Sequence, residues 1–462
     1  MKKNTKFKEK LKYYLMDYNG KIIHFREGKY YSNEIDDINY EYIVKVEVEY
    51  SYSEFNVEDN YIFLKKYPEF DCYIENISKA KLIYNTETRA FSFYTENKKY
   101  LCFENDTLSF SRDKANLWES FLLINDDFID RINHILNNNW LSKRNRQIVN
   151  GKNITFRNDF LMKIGDFSVD MRNQRARDFG KYNLTVFHDA WKLEEFLLYN
   201  PLIYITAYSS KSVLEQLKIC VDALRELSGF DGQIIVMSDQ SSTSIHELCG
   251  RKNATSIDVD PMYPKDFVGY VCSKFSLLNK KCYDGYQPIM YLDPDIVFNC
   301  DVNQMLQEAT LVEDICAPLE DFNRIQTHVP IGSGLLQLDS LNPSPYAAGF
   351  NGGTIVYPNI ENTKVQAFLE TSRRTITNIG KLFGRDFNAW ADQEVINYIS
   401  IKEFNINTSC LSKYAKYVDH NPGNNEEFKG FVHFWGHPSQ KKSEKMMEYL
   451  KKIKEIRKLK IQ

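Results

Sequence analysis

The run "IMYLDPDIVFNCD", Ile289 to Asp301, puts two aspartates one residue apart at the end of an apolar stretch. On an extended chain, carboxylates at i and i+2 project to one side, which suits a single hard divalent cation. Without a cation or a basic partner Asp293 and Asp295 would repel each other, and one would be driven to keep its proton. The flanking triplets and quadruplets, "IMYL" and "IVF", read as buried strand, so the acids stand where a strand leaves the core.

The elements around them have α/β grammar. From Pro201 on, "LIYITAY" is an apolar strand. "SVLEQLKICVDALREL" is an amphipathic helix with Leu214, Leu217, Cys220, Val221 and Leu224 on one face. The turn "GFDG" leads to the strand "GQIIVMSD", and the helix "VGYVCSKFSLLNKKCY" precedes "IMYL". Such alternation predicts a largely parallel, Rossmann-like sheet with helices on its faces. Ligands of these sheets sit beyond the carboxyl ends of the strands, which is where Asp293 and Asp295 fall.

Five phrases in fixed order then give a resemblance. "YLDPDIVF", "ICAPLED", "GFNGGTIVYPN", "WADQEVINYI" and "HFWGH" together resemble the GT-A fold nucleotide-sugar transferases, closest to glycosyltransferase family 8. The likeness spans about Leu202 to Lys442. Two departures stand out: "ITAYSSKS" lacks an acidic residue near the expected base, and the closing loop reads "HFWGHPSQKK" instead of "H..G..KPW".

The resemblance implies a metal-dependent glycosyltransferase that retains anomeric configuration, with a UDP-sugar as donor and a glycan, lipid-linked or protein acceptor. It implies metal ligation by Asp293, Asp295 and His433, with His437 as the alternative third ligand. Mixed oxygen and imidazole donors suit Mn²⁺, with Mg²⁺ second. Asp392 and Gln393, at a helix start, are the expected catalytic pair, the first toward the donor sugar and the second facing its anomeric carbon. Thr206, Ala207 and Tyr208 would receive the base, and Asp239 and Lys274 the ribose and phosphate. Asn351, Gly352 and Gly353 would bring backbone close to the sugar. Gly436 and Lys441, or Lys442 beside it, would meet the diphosphate.

Earlier in the chain, "NGKIIHFREGKYYS", "DNYIFLKKYPEFDCYI" and "KKYLCFENDTLSFS" recur at a spacing of about 40 residues. Each is a turn, an alternating strand, a turn and a strand. With "SFSRDKANLWESFLLI" they resemble fascin-type and lectin-type β-trefoils, which implies a sugar- or protein-binding module over residues 1–130. Residues 131–200 read as a partly helical connector, with "AWKLEEFLLYN" as a helix stopping at Asn200-Pro201. The GT-A domain follows over 201–440.

Residues 441–462 form a basic helix, with nine Lys or Arg against three Glu and with Met446, Leu450, Ile453 and Ile456 on one face. That pattern suits either packing on its own domain or peripheral contact with an anionic membrane. Nine cysteines without a CxxC pair, together with the basic but interrupted start of the chain, point to reduced thiols and a cytoplasmic setting. Lys and Arg (59) nearly balance Asp and Glu (62), which gives no bulk field for nucleic acid. Two other functions remain open from the residues: a haloacid-dehalogenase-type phosphatase using "DPDIV", and a non-catalytic sugar-binding protein.

Overall fold

The computed structural model describes residues 7–33, 40–52, 69–172, 179–188, 192–208, 210–250, 256–324, 331–344, 347–383, 391–417, 429–435 and 439–459. The chain divides into two compact units, Met1–Leu198 and Tyr199–Gln462.

In the first unit, Phe7–Met16 pairs antiparallel with Lys45–Tyr52, and the ladder continues through Glu69–Ile74, Ser78–Asn85 and Ala90–Tyr94. Phe91 and Phe121 then exchange two backbone hydrogen bonds of 2.8 Å, and Leu122–Ile124 pairs back onto Phe7–Met16. The path returns to its first strand, so these antiparallel strands close into a ring, with the hairpins that follow standing off it. Alternate residues line its inside, among them Leu15, Val46, Val48, Leu82, Phe93 and Phe121. Two of the three repeated phrases are hairpins, Ile22–Arg26 with Lys29–Asn33 and Tyr100–Glu104 with Thr107–Arg112. The middle phrase differs. Most of it lies outside the described residues, and its tail is the ring strand Glu69–Ile74.

The stretch expected as a connector is mainly β structure. After the helix Asp126–Asn137, whose Ile129, Ile132, Ile135 and Leu136 are buried, come a four-stranded and a three-stranded antiparallel sheet. Their residues share one core with Met16, Ile22 and that helix. "AWKLEEFLLYN" is not a helix: Lys192–Leu198 is a strand paired with Asn183–His188. Its Leu, Glu and Lys favour helix by propensity, and cross-strand pairing overrides them. Glu194 is buried there and accepts a hydrogen bond from the Ser142 hydroxyl.

The second unit is built on a five-stranded sheet in the order Ile257–Pro261, Gln233–Ser238, Leu202–Thr206, Ile289–Leu292, Thr354–Tyr357. The first three pairings are parallel and the last antiparallel. Strands buried on both faces read as continuous apolar runs, which is why "LIYI", "IIVM" and "IMYL" carry no alternation. The chain moves outward from Leu202–Thr206 to one side, then returns to pair Ile289–Leu292 on the other. That reversal is a switch point between Leu202–Thr206 and Ile289–Leu292, the kind of place beyond the strand ends where ligands of such sheets bind.

The C-terminal helix Ser439–Leu459 settles the fate of its apolar stripe. Met446, Tyr449, Leu450 and Ile453 pack with Ile219, Ala223, Val297, Val432 and Phe434 in a single cluster. Three of the four residues of the stripe, Met446, Leu450 and Ile453, are thus taken up by the domain's own core. Among the described residues no helix is long and apolar enough to cross a membrane.

Candidate functional site

Two strand pairings bring the acidic pair its partner. Asp293 follows Ile289–Leu292, and Asp295 precedes the short strand Ile296–Phe298. That strand runs antiparallel to Phe431–His433 with Ile296 opposite His433, and Phe434 N–H closes the ladder on the Asp295 carbonyl at 3.0 Å. The His433 ring therefore lies beside both acids. Its Nε2 is 3.1 Å from Asp295 Oδ1 and 3.7 Å from Asp293 Oδ2. One ligand atom from each of Asp293, Asp295 and His433 falls within 4.8 Å of the others.

The hydrogen-bond network fixes the imidazole tautomer. Asn351 Nδ2 donates to Glu320 at 2.6 Å, so its Oδ1 faces the other way and accepts from Gly353 N–H at 2.9 Å. His433 Nδ1 lies 3.1 Å from that same oxygen and must donate to it. In the neutral ring, Nε2 then turns a lone pair toward two carboxylates. Asp295 Oδ1, which it faces, is buried and has no hydrogen-bond partner. A lone pair and an orphaned carboxylate oxygen converging on one point fit a divalent cation, and the oxygen and imidazole donor set suits Mn²⁺ or Mg²⁺.

The surroundings set the charge of each of these groups. Burial opposes ionisation of Asp295, but His433 and Lys442 outweigh it and hold its carboxyl well below the usual range. Burial raises Asp293, and the charge of Asp295 adds to that against the pull of Lys274 and His433. Burial disfavours the His433 imidazolium, yet Asp295 and Asp293 together raise its pKa above 6.5. The Tyr291 hydroxyl donates to Asp293 Oδ1 and lies 3.1 Å from Thr206 Oγ1. Burial and the Asp293 charge keep this phenol protonated, well above 10.

A second cluster adjoins the first. The antiparallel strand Thr354–Tyr357 meets Ile289–Leu292 with Thr354 opposite Leu292, which carries Asn351, Gly352 and Gly353 to the end of the strand that Asp293 follows. Asp293 N–H donates to the Gly353 carbonyl at 2.8 Å. Lys274, just past the helix Phe267–Ser273, is buried, donates to the Gly352 carbonyl at 3.0 Å and forms an ion pair with Asp392. Gln393 accepts from Gly352 N–H at 3.1 Å and donates to Glu320 at 3.3 Å. Asn397, one helical turn on, accepts from Phe350 N–H at 2.7 Å and donates to its carbonyl at 2.9 Å, locking helix Ala391–Ile399 against this strand.

Most of the residues singled out in the sequence therefore converge: Asp293, Asp295, His433, Asn351, Gly352, Gly353, Lys274, Asp392 and Gln393, with Thr206 joined through Tyr291. Others stand further off. Ala207 is buried and bonds Met237 by its backbone. Tyr208 packs edge-on against Tyr270 at 5.0 Å, its phenol pushed up to about 12 by burial. Asp239, at the carboxyl end of its own strand, accepts from Gln240. Lys441 is exposed, and it is Lys442 that reaches the acids, donating to Asp295 Oδ2 at 2.6 Å. Gly436 and His437 lie outside the described residues. Sequence reasoning missed Tyr291, Glu320 and Asn397, although all three sit inside the quoted phrases "IMYLD", "ICAPLED" and "EVINYI".

No family model matches the chain, and no curated protein matches it. Solved structures that it is similar to include glycosyltransferases. One is the galactosyltransferase LgtC in complex with donor and acceptor sugar analogues, at 14% identity and a TM-score of 0.37, covering 54% of this chain and 95% of that one. Another is mouse xyloside xylosyltransferase 1 in its apo form, at 11% identity and 0.36, covering 52% and 98%. A third is the glycosyltransferase GlyE of Streptococcus pneumoniae TIGR4, at 12% and 0.36, covering 55% and 60%.

Proposed function

We propose that the second unit is a metal-dependent, retaining glycosyltransferase moving a sugar from a nucleotide-diphosphate sugar, in the first instance a UDP-sugar, to a glycan, lipid-linked or protein acceptor. One observation carries the reading: Asp293, Asp295 and a His433 with its lone pair turned inward meet Lys274, Asp392 and Gln393 around Gly352 and Gly353. The first three would hold the ion, Mn²⁺ or Mg²⁺. When bound, such an ion acts as a Lewis acid against the charge that develops on a leaving diphosphate.

The chain's own residues account for the rest. Lys274 pins Asp392 and the Gly352 carbonyl together, so the carboxylate is oriented before a sugar hydroxyl arrives. Gln393 has its oxygen committed to Gly352 N–H and its amide nitrogen to Glu320, which makes it a rigid wall. An amide so held is a poor nucleophile, and front-face attack assisted by the leaving phosphate is the course we favour. Thr206, Ala207 and Tyr208 line the strand end assigned to the base, with Asp239 for the ribose and Lys441 or Lys442 for the phosphates. For residues 8–127 we propose a trefoil-type module that binds sugar or protein, resting on the closed ring and its two matching hairpins.

A panel of nucleotide sugars, read out as nucleoside diphosphate release, tests the reading. Release should require divalent metal and fall by orders of magnitude in Asp293→Asn and Asp295→Asn. Release undiminished by excess chelator, or by both substitutions, would reject the metal mechanism. Phosphate release from a simple monoester, without nucleotide turnover, would favour the phosphatase instead.

A further inference from the structure

We propose that Lys442 is a built-in competitor for the cation on Asp295: ammonium and ion exchange on one carboxylate, and the displaced ammonium turns to the diphosphate of the donor. The inference rests on the metal and diphosphate reading above and adds how the two binding events are coupled.

Asp295 presents its two oxygens to different partners. Oδ1 faces His433 Nε2 at 3.1 Å, and Oδ2 accepts from Lys442 Nζ at 2.6 Å. The pair is enclosed, with the Lys442 side chain 21% and the Asp295 side chain 7% exposed, so solvent screens it little. A dication among Asp293, Asp295 and His433 would share this carboxylate with a cationic ammonium. Like charges at that range repel strongly in a poorly solvated site, so each weakens the other's hold.

The surroundings allow the ammonium to leave without disturbing the fold. The helix Ser439–Leu459 is fastened along its length. Ser443 donates to the Ser212 carbonyl at 3.2 Å, Met446, Tyr449, Leu450 and Ile453 lie in the core, and Arg457 donates to the Leu227 carbonyl at 2.7 Å and Asn299 Oδ1 at 2.9 Å. Lys442 lies in the first turn, ahead of these anchors, on a flexible four-carbon stem. Only its side chain has to swing. Once off Asp295 it is a positive group beside the ion's position, where an anionic diphosphate is attracted to both. Metal then promotes donor binding, and donor promotes metal binding by the same factor.

A merely structural lysine, one that staples the helix to the strand, predicts the opposite effect on the metal. Removing a staple loosens the site and weakens or leaves unchanged its affinity. Removing a competitor tightens it.

The test uses the full chain, stripped by chelator, titrated with Mn²⁺ alone and followed by paramagnetic resonance of the free ion. Lys442→Met should bind Mn²⁺ tighter by roughly 5- to 150-fold, the usual range of site coupling. Lys442→Arg, which keeps the charge, should stay near wild type. Affinity in the Met variant equal to or below wild type overturns the proposal. A second readout needs no variant: lysine acetylation mapped by mass spectrometry on the wild-type chain. Lys442 should be protected in stripped protein, reactive at saturating Mn²⁺, and protected again when UDP is added with Mn²⁺. Reactivity that does not change when Mn²⁺ saturates the protein overturns the exchange even if the Met variant fails to fold. Absence of Mn²⁺ binding in both wild type and variant instead rejects the metal reading itself, and this inference with it.

Discussion

A β-carbon placed on Gly353 would lie 2.5 Å from His433 Cε1 and 2.6 Å from Asp293 Oδ2, so the backbone passes between two of the three proposed ligands. A methyl group there has nowhere to go without moving one of them. Gly353→Ala should lower Mn²⁺ affinity by about 10–100-fold, as disturbed ligand orientation does, while the fold persists. Gly352→Ala meets first the flexible end of Ile396, at 2.9 Å, and should cost less. Calorimetric titration of both variants with Mn²⁺ checks the contrast; equal losses would count against the close approach at Gly353.

Asn351 holds the imidazole from the side away from the proposed metal position. Asn351→Leu removes the acceptor for His433 Nδ1 and leaves Glu320 without one of its donors. We expect metal affinity and turnover to fall together, by about 10–100-fold. Titration of Mn²⁺ alongside donor hydrolysis reports on both.

Lys274 and Asp392 form an enclosed ion pair, their side chains 8% and 26% exposed. Lys274→Met leaves a carboxylate without its countercharge and should destabilise the second unit by about 3–5 kcal/mol. Lys274→Met with Asp392→Asn should recover part of that loss without restoring turnover. Urea unfolding of the two single variants and the double gives the coupling; additive effects would mean the pair is not energetically linked.

The raised pKa of His433 makes two pH dependences run in opposite directions. In chelator, protonated His433 between two carboxylates contributes stability that is complete below about 6.5, its unfolded value, and is lost as pH rises through the raised folded value. Metal needs the deprotonated ring, so Mn²⁺ affinity falls as pH drops through that same raised value, by about tenfold per unit where one proton is displaced. Melting curves with and without Mn²⁺ across pH 5.5–8.5 should converge at the acid end, and His433→Ala should remove this pH dependence.

Leu450 tests the fate of the C-terminal helix. Leu450→Ala should cost about 2–5 kcal/mol by opening a cavity in the core the helix shares with Val432 and Phe434. Vesicle sedimentation should show no insertion into neutral lipid, and any retention on anionic lipid should vanish with added salt. Retention on neutral vesicles would mean that the helix can leave its core.

What the sequence revealed follows the range of the forces involved. The α/β alternation was legible because central parallel strands are bare apolar runs, and the acids were legible because they end one. His433 was reached only through the resemblance, since its pairing with Ile296 spans distant segments and no local pattern encodes it. Lys442 was not separated from Lys441 because the phase of a first helical turn depends on where the helix begins, which tertiary contacts decide. Residues 139–198 were misread for a related reason. Strands such as Ile148–Asn150 and Thr155–Arg157 are three residues long, too short for a period to show, and Lys192–Leu198 carries helix-forming residues into a sheet.

The distance along the chain between the acids and their countercharges has a consequence during synthesis. Asp293 and Asp295 leave the ribosome with Lys274 already behind them, but His433 comes 140 residues after Asp293 (433 − 293) and Lys442 later still. At about 5–20 residues per second, the two carboxylates wait roughly 7–30 seconds for His433. During that interval the sheet can form while one of its ends carries unpaired negative charge. Cellular divalent ions are the mobile species able to neutralise it. A cation bound then would hold the strand end in place until His433 arrives, and an ion at the proposed site would serve assembly as well.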